Sequence, residues 1–292
     1  MVSIMPDLWT KEKEIEFFTE SRSFATAEQL FYFGDDNRYY AYWPKTYTGR
    51  KSTLQSRNSL IGNFTEKFSV DLLQEFAHSK GLFAVQGVVC DKIGLSNRSP
   101  ADVAICTSRT TVQRAENILA LFEVKMSIVW NWEFENDNLI CLGDYKSHKG
   151  NPGLLRSDSM LKAIGKSINI RVSDYKASKI PIIILGNTPV TESYYSKVDH
   201  LKMAGIIQGF WSVNSNPLDN NGPNIKHTPE NGFIRMDSYS ELDKNLQELF
   251  STELEFFSSM KSKNDLGKII EIANQEMEFE QKAEKFLSLI RG

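Results

Sequence analysis

Three ionisable residues, Asp102, Glu123 and Lys125, stand at the ends of two apolar stretches of the chain. Asp102 begins the alternating apolar run of residues 101–107, whereas Glu123 and Lys125 end a second apolar run. Such runs are typical of β-strands, in which residues two apart share a face, so Glu123 and Lys125 point the same way. A charged side chain beside a buried strand costs free energy unless it finds a partner. If the two strands pair as a hairpin, the three groups converge on one site.

Two carboxylates and one ammonium group suit the hydrolysis of a phosphodiester bond. Mg²⁺ prefers oxygen ligands and commonly binds one or two carboxylates while it keeps several water molecules. A bound metal ion lowers the pKa of a coordinated water and neutralises charge on a phosphoryl oxygen. The Lys125 ammonium can orient the attacking water, help to deprotonate it, or stabilise the transition state. The sequence therefore predicts metal-dependent hydrolysis of a phosphodiester.

Pro100 and Asp102, followed by the run Glu123-Val124-Lys125, resemble the motif of the PD-(D/E)xK nuclease superfamily, and within it the type II restriction endonucleases. This chain departs from the motif in one place, because its proline stands two residues before the aspartate and not directly before it. The resemblance implies that Asp102, Glu123 and the main-chain carbonyl of Val124 hold Mg²⁺. It also implies that Lys125 acts on the attacking water.

The same resemblance implies a glutamate early in the first helix of the core, where it reaches the metal site. Glu66 is the best match, and we expect it to contact the metal directly or through a neighbouring ligand. At about 100° per residue, Glu66 lies about 200° from Phe64 and so off the main apolar stripe. It shares a side with Val70 and Leu73, so a helix buried on two faces brings it inside. Glu75 lies on the main stripe and is the alternative.

The spacing of apolar residues predicts the elements that position these groups. Residues 58–80 and 156–170 place apolar side chains every three or four positions and predict two helices. Shorter apolar runs predict the strands of the core, which are residues 82–89, 101–107, 118–124, 181–185 and 204–213. The order of helix, three strands, helix and strand is the αβββαβ order of the superfamily's restriction-endonuclease-like core. We therefore expect an α/β fold with a central mixed sheet flanked by helices and a helical C-terminal extension.

We expect residues 1–292 to form one nuclease domain with three parts. The catalytic core covers about residues 58–213, an aromatic and basic segment precedes it at residues 1–57, and a helical segment follows at residues 239–292. Two smaller hairpins are also predicted. Residues 34–37 form a turn between two short strands, and residues 139–142 pair with the stretch before them.

Composition argues against several other classes of protein. The 292 residues are 41% hydrophobic and 24% charged, as in an ordinary globular chain. No apolar run approaches the roughly 18 residues of a membrane span, and the first residues lack the apolar stretch of a secretory signal. The three cysteines and four histidines are scattered, without the spacing of a zinc site or of a disulfide framework. We expect a cytoplasmic protein whose cofactor is Mg²⁺.

The net charge of −3 is unevenly distributed, which matters for DNA binding. Residues 143–202 contain ten Lys or Arg and five Asp or Glu, whereas residues 238–292 contain seven Lys or Arg and eleven Asp or Glu. A local basic surface can contact DNA phosphates even when the whole chain is acidic. A solvated basic face is the alternative. The residues expected to contact DNA are Arg156, Lys162 and Lys166 on the second helix, Lys146 and Lys149 in the loop before it, and Arg50 and Lys51 beside the N-terminal aromatic residues.

These features together favour a sequence-specific, Mg²⁺-dependent endonuclease that cuts double-stranded DNA, most simply a type II restriction enzyme. We expect a homodimer, because a palindromic site matches a twofold protein. One alternative is a repair or junction-resolving nuclease with the same core. The other is a DNA-binding protein without catalysis, whose carboxylates are structural. Metal-dependent cleavage of plasmid DNA separates this last alternative from the two nucleases.

Overall fold

The computed structural model describes residues 6–50, 52–220, 222–258 and 260–291. These residues form eight α-helices, which are α1 (Lys11–Arg22), α2 (Ala27–Leu30), α3 (Gln55–Ser79), α4 (Ser157–Ser173), α5 (Tyr195–Met203), α6 (Tyr239–Ser251), α7 (Lys263–Ala273) and α8 (Phe279–Arg291). They also form ten strands, which are β1 (Tyr32–Phe33), β2 (Tyr39–Tyr40), β3 (Phe83–Val88), β4 (Ala101–Cys106), β5 (Ile118–Lys125), β6 (Asn131–Glu135), β7 (Asn138–Gly143), β8 (Ile182–Gly186), β9 (Gly209–Ser212) and β10 (Phe233–Arg235). None of these helices combines the length and the apolar character needed to cross a membrane.

Six strands form the central sheet, in the order β10-β9-β8-β5-β4-β3. The pairs β3–β4 and β4–β5 are antiparallel, whereas β5–β8, β8–β9 and β9–β10 are parallel. The fold is therefore mixed α/β with a central mixed sheet flanked by helices, which confirms this part of the prediction. The parallel pair β5–β8 needs a long crossover, and that crossover contains α4.

Alternate side chains of the central strands belong to two separate hydrophobic layers. In β5, Phe122 packs in a layer with residues of α1, α3 and α6, whereas Leu121 packs in a layer with residues of α4 and α5. Both side chains are buried, and full burial of a side chain of this size stabilises a fold by about 1.5–3 kcal/mol. Since successive residues of a strand point to opposite faces, α3 and α4 cover opposite faces of the sheet. Side chains from both helices can thus reach the ends of the same strands.

Most predicted core elements are found, with shifted ends. The predicted helices at 58–80 and 156–170 correspond to α3 and α4, and the five predicted strands correspond to β3, β4, β5, β8 and β9. The prediction of a strand over 204–213 was too long. The residues before Gly209 close the turn after α5, where Gly205 adopts a positive φ of 70°, a conformation that glycine tolerates best. Helices α1 and α5 and strand β10 were not predicted, and the C-terminal segment forms three helices.

The N-terminal segment and the residues after β5 form a second sheet with the order β1-β2-β6-β7. The antiparallel pair β1–β2 confirms the predicted turn at residues 34–37, and the antiparallel pair β6–β7 confirms the second predicted hairpin. Strand β2 pairs with β6, so the aromatic N-terminal segment lies beside the chain that leaves the end of β5.

Glu14 of α1 connects the N-terminal segment to the loop between β5 and β6 through hydrogen bonds. Its fully buried carboxyl group accepts hydrogen bonds from the indole nitrogens of Trp9 at 3.1 Å and Trp132 at 2.7 Å. It also accepts from the main-chain nitrogens of Val129 and Trp130. Burial raises the pKa of Glu14 to about 8, and these four donors oppose the shift. Because a buried polar group needs such partners, the hydrogen bonds position α1 against the loop.

Candidate active site

The carboxylates of Asp102 and Glu123 meet where β4 and β5 pair. Val103 of β4 lies opposite Phe122 of β5 in the antiparallel ladder, so Asp102 comes beside Glu123. The main-chain nitrogen of Val124 donates a hydrogen bond to Oδ2 of Asp102 at 2.8 Å, which fixes this carboxylate. The side chains of Asp102 and Glu123 are 17% and 11% exposed. Two carboxylates this close and this buried require positive charge beside them.

Lys125 supplies one of these positive charges. Its Nζ lies 2.7 Å from Oε1 of Glu123 and 3.3 Å from Oδ2 of Asp102, and it donates to the carbonyl oxygen of Val124 at 3.0 Å. Burial disfavours the charged form, but the attraction of Glu123 and Asp102 outweighs it and raises the pKa of Lys125 above its ordinary value of 10.5. Lys125 is therefore a charged donor at neutral pH.

A second lysine, Lys166 of α4, completes the cluster. Its Nζ lies 2.5 Å from Oε2 of Glu123 and 3.3 Å from Oδ1 of Asp102, and it donates to the carbonyl of Pro100 at 2.7 Å. Both carboxylates are thus bridged by both lysines, in a network of two negative and two positive charges. Lys166 was predicted from the sequence to contact DNA phosphates. The structure places its ammonium group against the predicted metal ligands Asp102 and Glu123.

Glu66 of α3 faces the same place from the other layer of the fold. Its Oε2 accepts a hydrogen bond from Nε2 of Gln86 on β3 at 2.9 Å. Burial raises the pKa of Glu66; the hydrogen bond from Gln86 opposes this shift, and the charge of Asp102 adds to it. The alternative residue, Glu75, interacts electrostatically with Tyr239. Of the two glutamates, the structure brings Glu66 to the carboxylates.

These side chains line an open cleft of about 460 Å³, which we call the Asp102 cleft. Arg98, an exposed residue of the loop before β4, adds a positive charge to its lining. The titratable residues that line the cleft are Glu66, Arg98, Asp102, Glu123, Lys125, Lys162 and Lys166. The cleft thus has acidic groups at its centre and basic groups around them, an arrangement that can hold a cation and attract a phosphate.

Two of the predicted DNA contacts on α4 lie near the Asp102 cleft. Lys162 lines it, but its side chain is 73% exposed and pairs with Asp158 at 3.1 Å. Arg156, directly before α4, also pairs with Asp158, at 3.5 Å, and it lines a second cleft next to the first. Both residues are accessible to a phosphate, and an exposed ion pair of this kind is worth little to the protein by itself.

The other predicted DNA contacts are spread over the neighbouring loops. Lys149 lines the second cleft and donates from Nζ to the carbonyl of Tyr47. Lys146 and Arg50 are exposed and do not occur in the described lining of either cleft. Lys51 lies outside the described residues. Of these loop residues, Lys149 is the one that the described lining places beside the candidate active site.

The oxygen atoms of the Asp102 cleft fit Mg²⁺ better than any softer metal. Asp102 and Glu123 offer carboxylate oxygens and Val124 offers a carbonyl oxygen, and Mg²⁺ prefers such hard ligands together with water. The Lys166 ammonium, which bridges the two carboxylates, marks a place where a cation is held. The described residues contain no group of three or more His, Cys, Asp or Glu side chains able to hold a metal ion. A magnesium site here would thus use two carboxylates and would require Lys166 to move.

Gln86 and Arg98 are polar residues of this site that the sequence analysis did not identify. Gln86 interrupts the apolar run of β3. Because a polar residue inside a core strand needs a hydrogen-bonding partner, this interruption could have indicated that Gln86 belongs to the site. Arg98 stands in a polar loop among other exposed residues and offered no such signal.

Comparisons with known proteins return no match, whether with protein-family models, with curated proteins or with solved structures. The function of the chain therefore rests on the chemistry of the Asp102 cleft.

Proposed function

We propose that this chain is a Mg²⁺-dependent endonuclease that hydrolyses phosphodiester bonds in double-stranded DNA at specific sequences, like a type II restriction endonuclease. The observation that carries the proposal is the convergence of Asp102, Glu123 and Lys125 where β4 and β5 pair. This is the set of groups expected from the resemblance to the PD-(D/E)xK superfamily. The chain order of α3, β3, β4, β5, α4 and β8 also supports it, since it follows the αβββαβ order.

The residues of the Asp102 cleft have distinct roles in the proposed reaction. Asp102, Glu123 and the carbonyl of Val124 would hold Mg²⁺, which when bound supplies Lewis acidity towards water and phosphate. Lys125, whose ammonium group lies against both carboxylates, would stabilise the negative charge of the transition state. Glu66, which lines the same cleft, would contact the metal directly or through one of its ligands.

The charge balance of the cluster favours one alternative, a DNA-binding protein without catalysis. Lys125 and Lys166 already neutralise Asp102 and Glu123 in the absence of a metal. A buried network of equal charges can serve as a structural cluster, because each charge has a partner. In a metal-dependent enzyme, by contrast, one of the two lysines must move away from the carboxylates when the metal binds.

The proposed partners are double-stranded DNA and a second copy of this chain. Basic side chains beside the clefts would contact phosphates, which give affinity and register but carry no sequence information. Cutting both strands of a palindromic site would need two copies of the Asp102 cleft related by a twofold axis, and hence a homodimer.

Digestion of a supercoiled plasmid tests the proposed function. The protein is incubated with the plasmid in Mg²⁺, in Ca²⁺ and in EDTA, and the products are separated by electrophoresis. We expect discrete linear fragments in Mg²⁺ and intact plasmid in EDTA. Unspecific smearing, or cutting of branched DNA alone, would favour a repair or junction-resolving nuclease. An intact plasmid in Mg²⁺, with DNA binding retained in a gel-shift assay, would overturn the proposal in favour of the alternative without catalysis.

A further inference from the structure

A second cleft of about 570 Å³ adjoins the Asp102 cleft, and Lys125 lines both. Its volume lies within the range of about 300–1,000 Å³ that is usual for small-molecule sites. Its walls come from the N-terminal aromatic segment, the first turns of α3, the end of β5 and the loop before α4. We call it the Arg57 cleft, and the lining residues that matter here are Tyr32, Trp43, Arg57, Lys125, Lys149 and Arg156.

The charged side chains that line the Arg57 cleft are all basic, and two of them, Lys125 and Arg156, also pair with carboxylates outside this lining. Its described lining contains Arg57, Lys125, Lys149 and Arg156 and no Asp or Glu. The net charge of the chain is −3, so this concentration of positive charge runs against the composition. A concave surface lined by one sign of charge focuses the field and attracts a ligand of opposite charge. The cleft therefore favours an anion.

Arg57 is a buried cation without a buried counter-ion. It is 3% exposed, and its Nη1 donates to the carbonyls of Leu30 and Ala41. Its guanidinium carbon lies 5.1 Å from the centre of the Tyr32 ring and 5.3 Å from that of Tyr42. Within the described part of the chain no carboxylate forms an ion pair with Arg57. Burying an unpaired charge costs several kcal/mol, and a bound anion would offset that cost.

The aromatic wall indicates that the anion carries a planar group. The Trp43 ring is stacked between Tyr32, with centroids 4.8 Å apart, and Tyr47, at 3.8 Å. Its Nε1 is buried and has no hydrogen-bond partner among the described residues, although a buried donor is normally paired. A free phosphate needs neither an aromatic wall nor an indole donor. A nucleotide can use both, because the edge of its base can pack against this wall and its acceptor atoms can pair with the indole donor.

We propose that the Arg57 cleft binds one nucleotide of the DNA strand, next to the phosphate that is cut. The phosphate of this nucleotide contacts Arg57, Lys149 and Arg156, and its base lies against the wall formed by Tyr32 and Trp43. The assignment of the nucleotide to a strand being cut rests on the proposed endonuclease function. A base of double-stranded DNA can lie in this cleft only if it leaves the stack of the double helix. The substrate is therefore unpaired at one position beside the cut.

Calorimetric titration of the full chain with three small probes tests the cleft directly. The probes are deoxythymidine 5′-monophosphate, deoxythymidine and inorganic phosphate, in buffer without Mg²⁺. We expect the monophosphate to bind at least about tenfold more tightly than either fragment, because it alone engages both the cations and the aromatic wall.

Three variants separate the cleft from general charge. Lys149→Ala should weaken monophosphate binding by about three- to tenfold, the loss of one exposed charge-assisted hydrogen bond. Trp43→Phe keeps a ring but removes the unpaired donor, so it should weaken the monophosphate and leave phosphate binding unchanged. The control is Lys45→Ala, an exposed lysine next to the bridge between Pro44 and His148 that does not occur in the described lining of the cleft. It should bind as the wild type does.

Several results would overturn the inference. One is equal affinity for phosphate and monophosphate together with no effect of Trp43→Phe. Others are the absence of binding by every probe, and an equal loss in Lys45→Ala and Lys149→Ala. Plasmid digestion with the same preparation distinguishes the two proposals. Cleavage without monophosphate binding refutes the nucleotide site alone, whereas monophosphate binding without cleavage refutes the endonuclease and leaves the nucleotide site standing.

Discussion

Replacing Lys166 by methionine should strengthen the binding of a divalent cation. The ammonium group of Lys166 is the cation that bridges Glu123 and Asp102, at 2.5 and 3.3 Å, and a metal must displace both contacts. A hydrogen bond between charged groups contributes about 1.5–3 kcal/mol net, and Lys166 is only 18% exposed. The displaced lysine can keep its hydrogen bond to the carbonyl of Pro100. We therefore assign the loss of its two carboxylate contacts a total cost of about 1.5–3 kcal/mol. This corresponds to about a 10- to 150-fold decrease in Kd for the metal.

The assay is a titration of the protein with Mn²⁺, followed by electron paramagnetic resonance, and repeated with Mg²⁺ as a competitor. Lys162→Met is the matched control, because Lys162 lies one helical turn away, is 73% exposed and pairs with Asp158. Its removal should change the Kd by less than about twofold. An unchanged Kd in Lys166→Met would show that the lysine does not compete with a metal. A weakened affinity would show that Lys166 helps to build the site, and either result would refute the reasoning.

Three further predictions concern single residues. Lys125→Ala should lower the single-turnover rate of DNA cleavage about 100- to 1,000-fold with the fold intact. Lys125→Arg should not restore the rate, because a planar guanidinium cannot replace a compact ammonium. An unchanged rate in Lys125→Ala would exclude a role for Lys125 in the transition state. Glu66→Gln should slow cleavage and raise the Mg²⁺ concentration needed for it. Glu75→Gln should change the urea midpoint of unfolding more than the rate of cleavage. The reverse result would assign the role at the metal site to Glu75. Burial lowers the pKa of His148 to about 4 from its ordinary 6.5, so the stability it contributes is present above pH 6.5 and is lost as the pH falls towards 4. In urea unfolding, the free energy of unfolding should fall by about 2 kcal/mol between pH 7 and pH 5, and this fall should be absent in His148→Gln. Equal losses in both proteins would contradict the lowered pKa of His148.

The elements that carry the site could be predicted because their patterns are local. The repeat of apolar residues in α3 and the alternation in β4 are periodicities that a strand or a helix imposes on its own residues. Asp102, Glu123 and Lys125 stand at the ends of such runs, so their convergence followed from the pairing of two neighbouring strands. Glu66 could be selected only as one of two candidates, because its helix is buried on more than one face.

The rest depends on contacts between distant parts of the chain. Lys166 is 64 residues from Asp102, and nothing in its own helix distinguishes it from Lys162. The crossover from β5 to β8 brings it inside. Arg57 has its partners on two earlier segments, and the N-terminal helix α1 has adjacent phenylalanines instead of a clear stripe, so neither could be placed from local pattern.

A single-turnover cleavage assay tests the central claim most directly. Plasmid DNA is incubated in Mg²⁺ with the wild type, with Asp102→Asn and Glu123→Gln, and with Asp91→Asn, which changes an exposed aspartate of the loop before β4. Circular dichroism verifies that each variant is folded, and a gel-shift assay in Ca²⁺ verifies that it binds DNA. We expect cleavage by the wild type and by Asp91→Asn, and no cleavage by folded, DNA-binding Asp102→Asn or Glu123→Gln. Cleavage by either of these two variants at the wild-type rate would contradict it.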